Sequence, residues 1–260
     1  MPIRLTPTFR DRLASADRPL AGMWVCSGSA LVAEICAGAG LDWLLIDMEH
    51  SPNDLSAVLT QLQAVAAYPS TPLVRVPHND TVAIKQVLDL GAQNILVPMV
   101  STPKEAADAV AAMHYPPRGR RGVGSALARS ARWNRVDGYL ADAADHVSLF
   151  VQIESSAGVD NAAAIAAVDG VDGVFVGPSD LAASMGLVGQ QTHPDVVEAV
   201  LRTFRSVEEA GKPVGVNAFD PGQAQAYLDR GADFILVGAD VSLLARGSEQ
   251  FAKRWLPGAD

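Results

Sequence analysis

One pattern of apolar and polar positions recurs along the chain. A glycine is followed by two or three mixed residues and then by an apolar run. Gly40 leads into Trp43–Ile46, Gly91 into Ile95–Val97, Gly170 into Val174–Val176 and Gly231 into Phe234–Val237. Each glycine ends an Ala- or Leu-rich helical segment, where a left-handed C-terminal cap is expected. The apolar run after it reads as a short strand buried on both faces. In order, strands are expected near 20–26, 42–47, 72–76, 94–98, 148–153, 173–177, 213–217 and 233–237. Helices are expected near 29–39, 53–67, 80–90, 102–113, 157–167, 193–210, 221–230 and 241–254. Eight strands alternating with eight helices predict an α/β protein of the (β/α)8 TIM-barrel type, a single domain over 1–260. The alternative, an open doubly wound sheet, lacks its Gly-x-Gly-x-x-Gly after the first strand.

Composition narrows this picture. Hydrophobic residues make up 49% and charged residues 19% of 260, a soluble globular balance. There is no apolar stretch of about 18 residues, so no membrane span is expected, and Met1–Pro7 has no signal-type apolar core. A cytoplasmic protein is expected, with Cys26 and Cys36 as ordinary buried thiols. The formal charge of −9, from 29 acidic and 20 basic residues, argues against nucleic-acid partners. One connection, 114–146, is long for a βα unit. It carries Arg118, Arg120, Arg121, Arg129 and Arg132. These neutralise an anion, form ion pairs across a subunit contact, or stay solvated.

The candidate chemistry lies where strands end. Val151-Gln152-Ile153-Glu154 and Val176-Gly177-Pro178-Ser179-Asp180 each run from apolar residues into a carboxylate. In a parallel α/β protein the C-terminal strand ends are where ligands bind. Glu154 and Asp180 there offer hard oxygen ligands to a divalent cation; taken singly, each would as readily cap a helix. The second strand ends Ile46-Asp47-Met48-Glu49-His50, which puts Asp47 and His50 at the same mouth, as a pair suited to moving protons. Arg75 sits inside the apolar run Leu73–Val76, where an unpaired charge is unfavourable. It either pairs with a barrel carboxylate or polarises a substrate carbonyl. Gly177 permits close backbone approach, and the Ser179–Asp180 turn offers N–H groups to an anion. Together the set suits chemistry through an enolate.

Several of these stretches resemble one family. They are Leu44–His50, Lys85–Gly91, Val97–Val100, Pro116–Gly124 and Gly173–Leu181, in order over about residues 20 to 250. The chain is similar to the HpcH/HpaI family of class II, metal-dependent pyruvate aldolases. The resemblance implies a barrel of the phosphoenolpyruvate/pyruvate-domain type, with its last helix exchanged between subunits. It implies Mg, Mn, Co or Zn held by Glu154 and Asp180 and supported by Gln152. A 2-oxoacid, pyruvate or hydroxypyruvate, would bind with its carboxylate on the backbone of Ser179 and Asp180. Arg75 would steady the enolate oxygen, and His50 with Asp47 would transfer protons as a bond to an aldehyde is made or cleaved. The resemblance further implies a homo-hexamer (a trimer of dimers), Asp89 serving a neighbour's site, and a place in aromatic-compound catabolism. The chain departs from heptanedioate-cleaving members at Gly215–Phe219, side chains placed to border the aldehyde pocket. Two other readings are a CoA-ester or phosphoenolpyruvate lyase, and a non-catalytic 2-oxoacid-binding barrel.

Overall fold

Period-two alternation in eight strands builds the centre of the molecule. The computed structural model describes residues 3–124 and 127–256; Met1, Pro2, two residues of the arginine-rich connection and the last four lie outside that description. A six-residue helix, α1 (Phe9–Ala14), precedes β1 (Leu20–Val25). Then follow α2 (Ala30–Ala37), β2 (Trp43–Asp47), α3 (Leu55–Val65), β3 (Thr71–Arg75), α4 (Thr81–Asp89), β4 (Asn94–Val97) and α5 (Pro103–Met113). The long connection carries a short helix, α6 (Tyr139–Asp142). After it come β5 (Ser148–Ile153), α7 (Ser156–Asp160), α8 (Ala162–Ala166), β6 (Gly173–Val176), α9 (Pro178–Ser184), α10 (Pro194–Glu209), β7 (Val214–Asn217), α11 (Pro221–Leu228), β8 (Phe234–Ala239) and α12 (Asp240–Trp255). All strands pair in parallel, each with the next, and β1 pairs with β8, so the barrel closes in chain order. The (β/α)8 expectation is met.

Side chains facing inward fill the lumen. Leu20, Trp24, Trp43, Leu45, Leu73, Leu96, Phe150, Phe175, Phe234 and Leu236 form one buried cluster. Glycines at 22, 173 and 215 leave room for Trp43, Phe150 and Phe234, which a Cβ there would strike. Residues facing outward pack under the helices in a larger apolar cluster. The helix α1 was not foreseen. Its Thr8-x-x-Asp11 capping box fixes the first turn. That turn delivers Phe9 into the lumen cluster, against Trp43, Phe150 and Phe234. Phe9 N–H donates to Asn94 Oδ1 at 2.7 Å. The barrel is thus stoppered at the strands' N-terminal end.

Two other expectations shift. The single helix expected over 157–167 breaks at Asn161, whose side chain donates to the Ser101 carbonyl at 2.8 Å. The connection 114–146 folds on its own small core of Ala131, Val136, Tyr139 and Ala143. Of its arginines, Arg121 is buried and pairs with Asp89 at 3.0 Å, and Arg120 pairs with Asp108 at 3.2 Å.

Candidate active site

The open end of the barrel, where the strands finish, is polar. The same alternation that points Trp43 and Leu45 inward carries Asp47 inward at the end of β2. On β5 it carries Phe150, then Gln152, then Glu154. Asp47 and Arg75 are register partners on β2 and β3, and both are buried. Arg75 Nε and Nη2 donate to the two Asp47 oxygens at 2.8 and 2.9 Å. The guanidinium lies over the Trp24 ring, 4.3 Å from its centroid, and Trp24 Nε1 donates to Asn217 Oδ1 at 2.8 Å. Arg75 is therefore fixed on three sides: by a bidentate carboxylate, an aromatic face and the strand below.

The Asp47–His50 pairing expected from sequence differs in the structure. From this turn Asp47 accepts the backbone N–H groups of Glu49 and His50, at 3.0 and 3.3 Å, and not the His50 ring. Both of its oxygens are already engaged by Arg75. The carboxylate that the His50 ring faces is Glu49, with Nε2 3.8 Å from Oε2. The imidazole itself is open to solvent, 63% exposed. Glu49 is the residue sequence reasoning missed. Strand-like alternation running two residues past Asp47 was the signal that could have found it. Arg75 Nη1 lies 2.9 Å from Glu49 Oε2, but no N–H is aligned on that oxygen, which accepts no hydrogen bond. Burial raises the Glu49 pKa, Arg75 and His50 lower it, and the charges of Asp47 and Asp180 raise it again.

Glu154 is the most perturbed carboxylate of the mouth. It is buried, and burial pushes its pKa up to about 7, with Glu49 and Asp180 adding to the rise. The Met99 N–H, donating to Oε1 at 2.7 Å, and the Gln152 amide, donating to Oε2, work in the other direction. Met99 presents that N–H from a left-handed backbone, φ 56°. Such a conformation is unusual for a residue with a long side chain. A Cβ on Gly177 would lie 2.7 Å from Glu154 Oε2 and 2.8 Å from Gln152 Nε2, so any side chain there would displace both groups. The space that sequence reasoning kept for a ligand is taken by these two side chains. Asp180 and Ser179 stand exposed in the first turn of α9. Cys26, beside Asp47 and Asp240, is pushed up to about 12, chiefly by burial, so it offers no thiolate.

The structure thus brings together Asp47, Arg75, His50, Gln152, Glu154, Gly177, Ser179 and Asp180, with Glu49 added. Asp89 is not among them. It ends α4, at the far end of the barrel, held by Arg121.

The donor set fits a divalent cation. Glu49 Oε2 and Gln152 Oε1 are buried acceptors without a donor, and Glu49, Glu154 and Asp180 repel one another. A cation answers both deficits. Among the described residues no three His, Cys, Asp or Glu side chains form a closed cage. A site of one or two carboxylates, with positions left for water and substrate oxygens, is the arrangement hard cations such as Mg²⁺ use.

A stoppered (β/α)8 barrel with its ionisable groups gathered at the strand ends defines an enzyme of the barrel class. Comparison narrows that class. The sequence pattern of the family described as HpcH/HpaI aldolase/citrate lyase matches residues 20–247. A 4-hydroxy-2-oxo-heptane-1,7-dioate aldolase of Salmonella arizonae is 52% identical over 247 residues, 95% of this chain and 94% of its own. The solved structure of an HpcH/HpaI aldolase/citrate lyase family protein from Burkholderia cenocepacia J2315 superposes with a TM-score of 0.91 at 44% identity, over 96% of this chain and 99% of that one. An HpcH/HpaI aldolase from Desulfitobacterium hafniense DCB-2 gives 0.88 at 27% identity, over 98% and 100%. The chain belongs to the HpcH/HpaI aldolase/citrate lyase family. Its activity is that of an aldolase, a carbon–carbon lyase.

Proposed function

We propose that the chain is a divalent-cation-dependent aldolase joining or separating a 2-oxoacid, pyruvate or hydroxypyruvate, and an aldehyde. The observation that carries this reading is the meeting of Glu154, Asp180 and Glu49 beside a fixed Arg75, with buried acceptor atoms left without donors. Glu154 and Asp180 would hold the cation (Mg, Mn, Co or Zn), and Gln152 would steady Glu154. When bound, the cation supplies Lewis-acid stabilisation of negative charge growing on the keto oxygen. Arg75, held by Asp47, adds a fixed positive edge on the same side. The backbone N–H groups of Ser179 and Asp180 would orient the substrate carboxylate.

His50, solvated and beside Glu49, is the proton carrier. In cleavage it takes the proton of the C4 hydroxyl, directly or through water. The C3–C4 electron pair passes to the donor fragment and the aldehyde departs. The proton then returns to C3, which leaves the 2-oxoacid. The aldehyde side faces a small cavity of about 210 Å³ lined by Ser179, Asn217, Phe219 and Gln223. A lyase acting on CoA esters or phosphoenolpyruvate is less well supported. Arg121 is engaged by Asp89, and Arg129 and Arg132 lie at the stoppered end. Arg120 lines a cavity beside Glu49 and Met99, but shares it with the carboxylates of Glu49, Glu105 and Asp108, which disfavour a phosphate there.

The same reading makes the protein a homo-hexamer. The outer face of α12 exposes Leu243, Leu244, Phe251 and Trp255, and Leu31 and Ile35 of α2 are also exposed. Such apolar surface marks a contact. Asp89, remote from its own mouth, would serve a neighbouring copy. A cytoplasmic location belongs to this reading as well; no helix among the described residues is long and apolar enough to cross a membrane.

The test is exchange of pyruvate C3 protons in deuterated water, with and without EDTA, in wild type, Arg75→Ala and His50→Ala. Exchange abolished by EDTA and by Arg75→Ala supports the reading, provided His50→Ala still binds oxalate. Exchange that survives EDTA overturns it.

A further inference from the structure

The end of the barrel opposite the carboxylates is not featureless. A cavity of about 410 Å³ opens there, between the N-terminal segment, the turns before β3 and after α4, and the arginine-rich connection. Arg4, Arg12, Arg129 and Arg132 all line it, and no Asp or Glu does. In a chain of net charge −9 that is a concentrated departure. Among the described residues none of the four has a carboxylate within ion-pair distance, although other arginines of the chain do.

Two of the four are held unusually. Arg132 Nη1 and Arg129 Nη1 lie 2.7 and 2.8 Å from the point where a Cβ on Gly91 would sit. The two guanidinium groups are therefore neighbours, and residue 91, at φ +92°, is in a conformation that favours glycine. Arg129 Nη1 donates to the Leu90 carbonyl at 2.8 Å, capping α4, and Arg132 Nη1 donates to the Arg129 carbonyl at 2.6 Å. Among the described residues each uses one of its five N–H donors. Burial lowers the pKa of both, and the Arg132 charge lowers that of Arg129 further. A helix C-terminus supplies only about half a negative charge. Two half-buried cations side by side lack the rest of their counter-charge. A third observation stands apart from charge. Ser70, which lines the same cavity, is almost fully buried, and its hydroxyl has no hydrogen-bond partner among the described residues.

We propose that this cavity binds a compact oxyanion carrying two or more negative charges, a phosphoryl or polycarboxylate group. Arg129 and Arg132 grip it from one side, Arg4 and Arg12 close on it from the N-terminal segment, and the Ser70 hydroxyl donates from the barrel wall. The cavity sits on the face of a (β/α)8 barrel that serves stability rather than chemistry. Bound there, the anion joins the N-terminal segment to the arginine-rich connection and stabilises the folded chain by mass action.

Calorimetric titration of the full chain with pyrophosphate and, separately, with tricarballylate tests this, in chloride-balanced buffer of fixed ionic strength without divalent metal. Saturable binding of at least one, with a rise in melting temperature, is expected. Whichever probe binds identifies the phosphoryl or the carboxylate source. Arg132→Gln and Ser70→Ala should each weaken that binding, the former about tenfold or more, as loss of a charged hydrogen-bond donor does. Arg12→Gln changes an exposed residue with little demand on folding, so it guards against a misfolded Arg132 variant; it should weaken binding several-fold. No saturable binding of either probe, or binding unaltered by Arg12→Gln and Arg132→Gln, overturns the proposal. So does a wild-type oligomer that binds neither probe and dissociates on Arg132→Glu, since the counter-charge then belongs to a second copy.

Discussion

Asp47 and Arg75 end neighbouring parallel strands as register partners, and both Asp47 oxygens accept from the guanidinium, at 2.8 and 2.9 Å. The pair is almost wholly buried. Removing one member strands the other charge, which for buried pairs costs about 3–5 kcal/mol. Asp47→Ala should therefore lower stability by about that much, read from urea unfolding, besides releasing Arg75 from its orientation. An Asp47→Ala chain as stable as wild type would show the pair to be dispensable.

Glu49 adds a third negative charge facing Glu154 and Asp180. Glu49→Gln should weaken Mn²⁺ binding by about 10–100-fold, as loss of a supporting group does. Asp180→Ala removes a ligand and should weaken it more. Titration calorimetry on the metal-free chain measures both, independently of turnover. Unchanged affinity in Glu49→Gln would leave Glu49 with His50 alone.

Gly177→Ala inserts a methyl group where Glu154 and Gln152 now lie. The strand below is undisturbed, so folding should persist by circular dichroism while Mn²⁺ affinity falls. Wild-type affinity would mean that Glu154 can bind from another rotamer.

His114, buried after α5 near Arg118 and Arg121, has its pKa pushed down to about 4 from an ordinary 6.5, chiefly by burial. Between those values the unfolded chain binds the extra proton. Stability therefore falls as pH drops through that window and is restored above it. Urea midpoints at pH 4.5 and 7 should differ more in wild type than in His114→Gln; equal differences would remove His114 as a cause.

Phe251→Ser with Trp255→Ser should reduce the sedimentation coefficient if the outer face of α12 is covered by another copy. An unchanged profile would assign that surface elsewhere.

The strands were legible because most of their residues are buried on both faces and read as apolar runs; β5, buried throughout, falls on its expected bounds, 148–153. Asp47, Arg75 and Glu154 were legible because each is a charge in or at the end of such a run; Gln152 came only from the family resemblance. The His50 partner was not. Which of two nearby carboxylates a ring faces depends on what the other has already bound, and Asp47 is taken by Arg75, a residue 28 positions away. Phe9 was missed for a similar reason. Six residues of helix carry too little periodicity to announce themselves, and the place of α1 depends on a hole that only the closed barrel creates.

That stopper has a consequence for the order of assembly. Phe9 precedes all eight strands in sequence, yet it rests on Phe150 and Phe234, and β1 has β8 as its second neighbour. The segment before β1 therefore has no complete seat until β5 and β8 are in place. Closing the ring and seating its plug both rest on contacts between residues far apart in sequence, the kind whose loop-closure entropy slows folding.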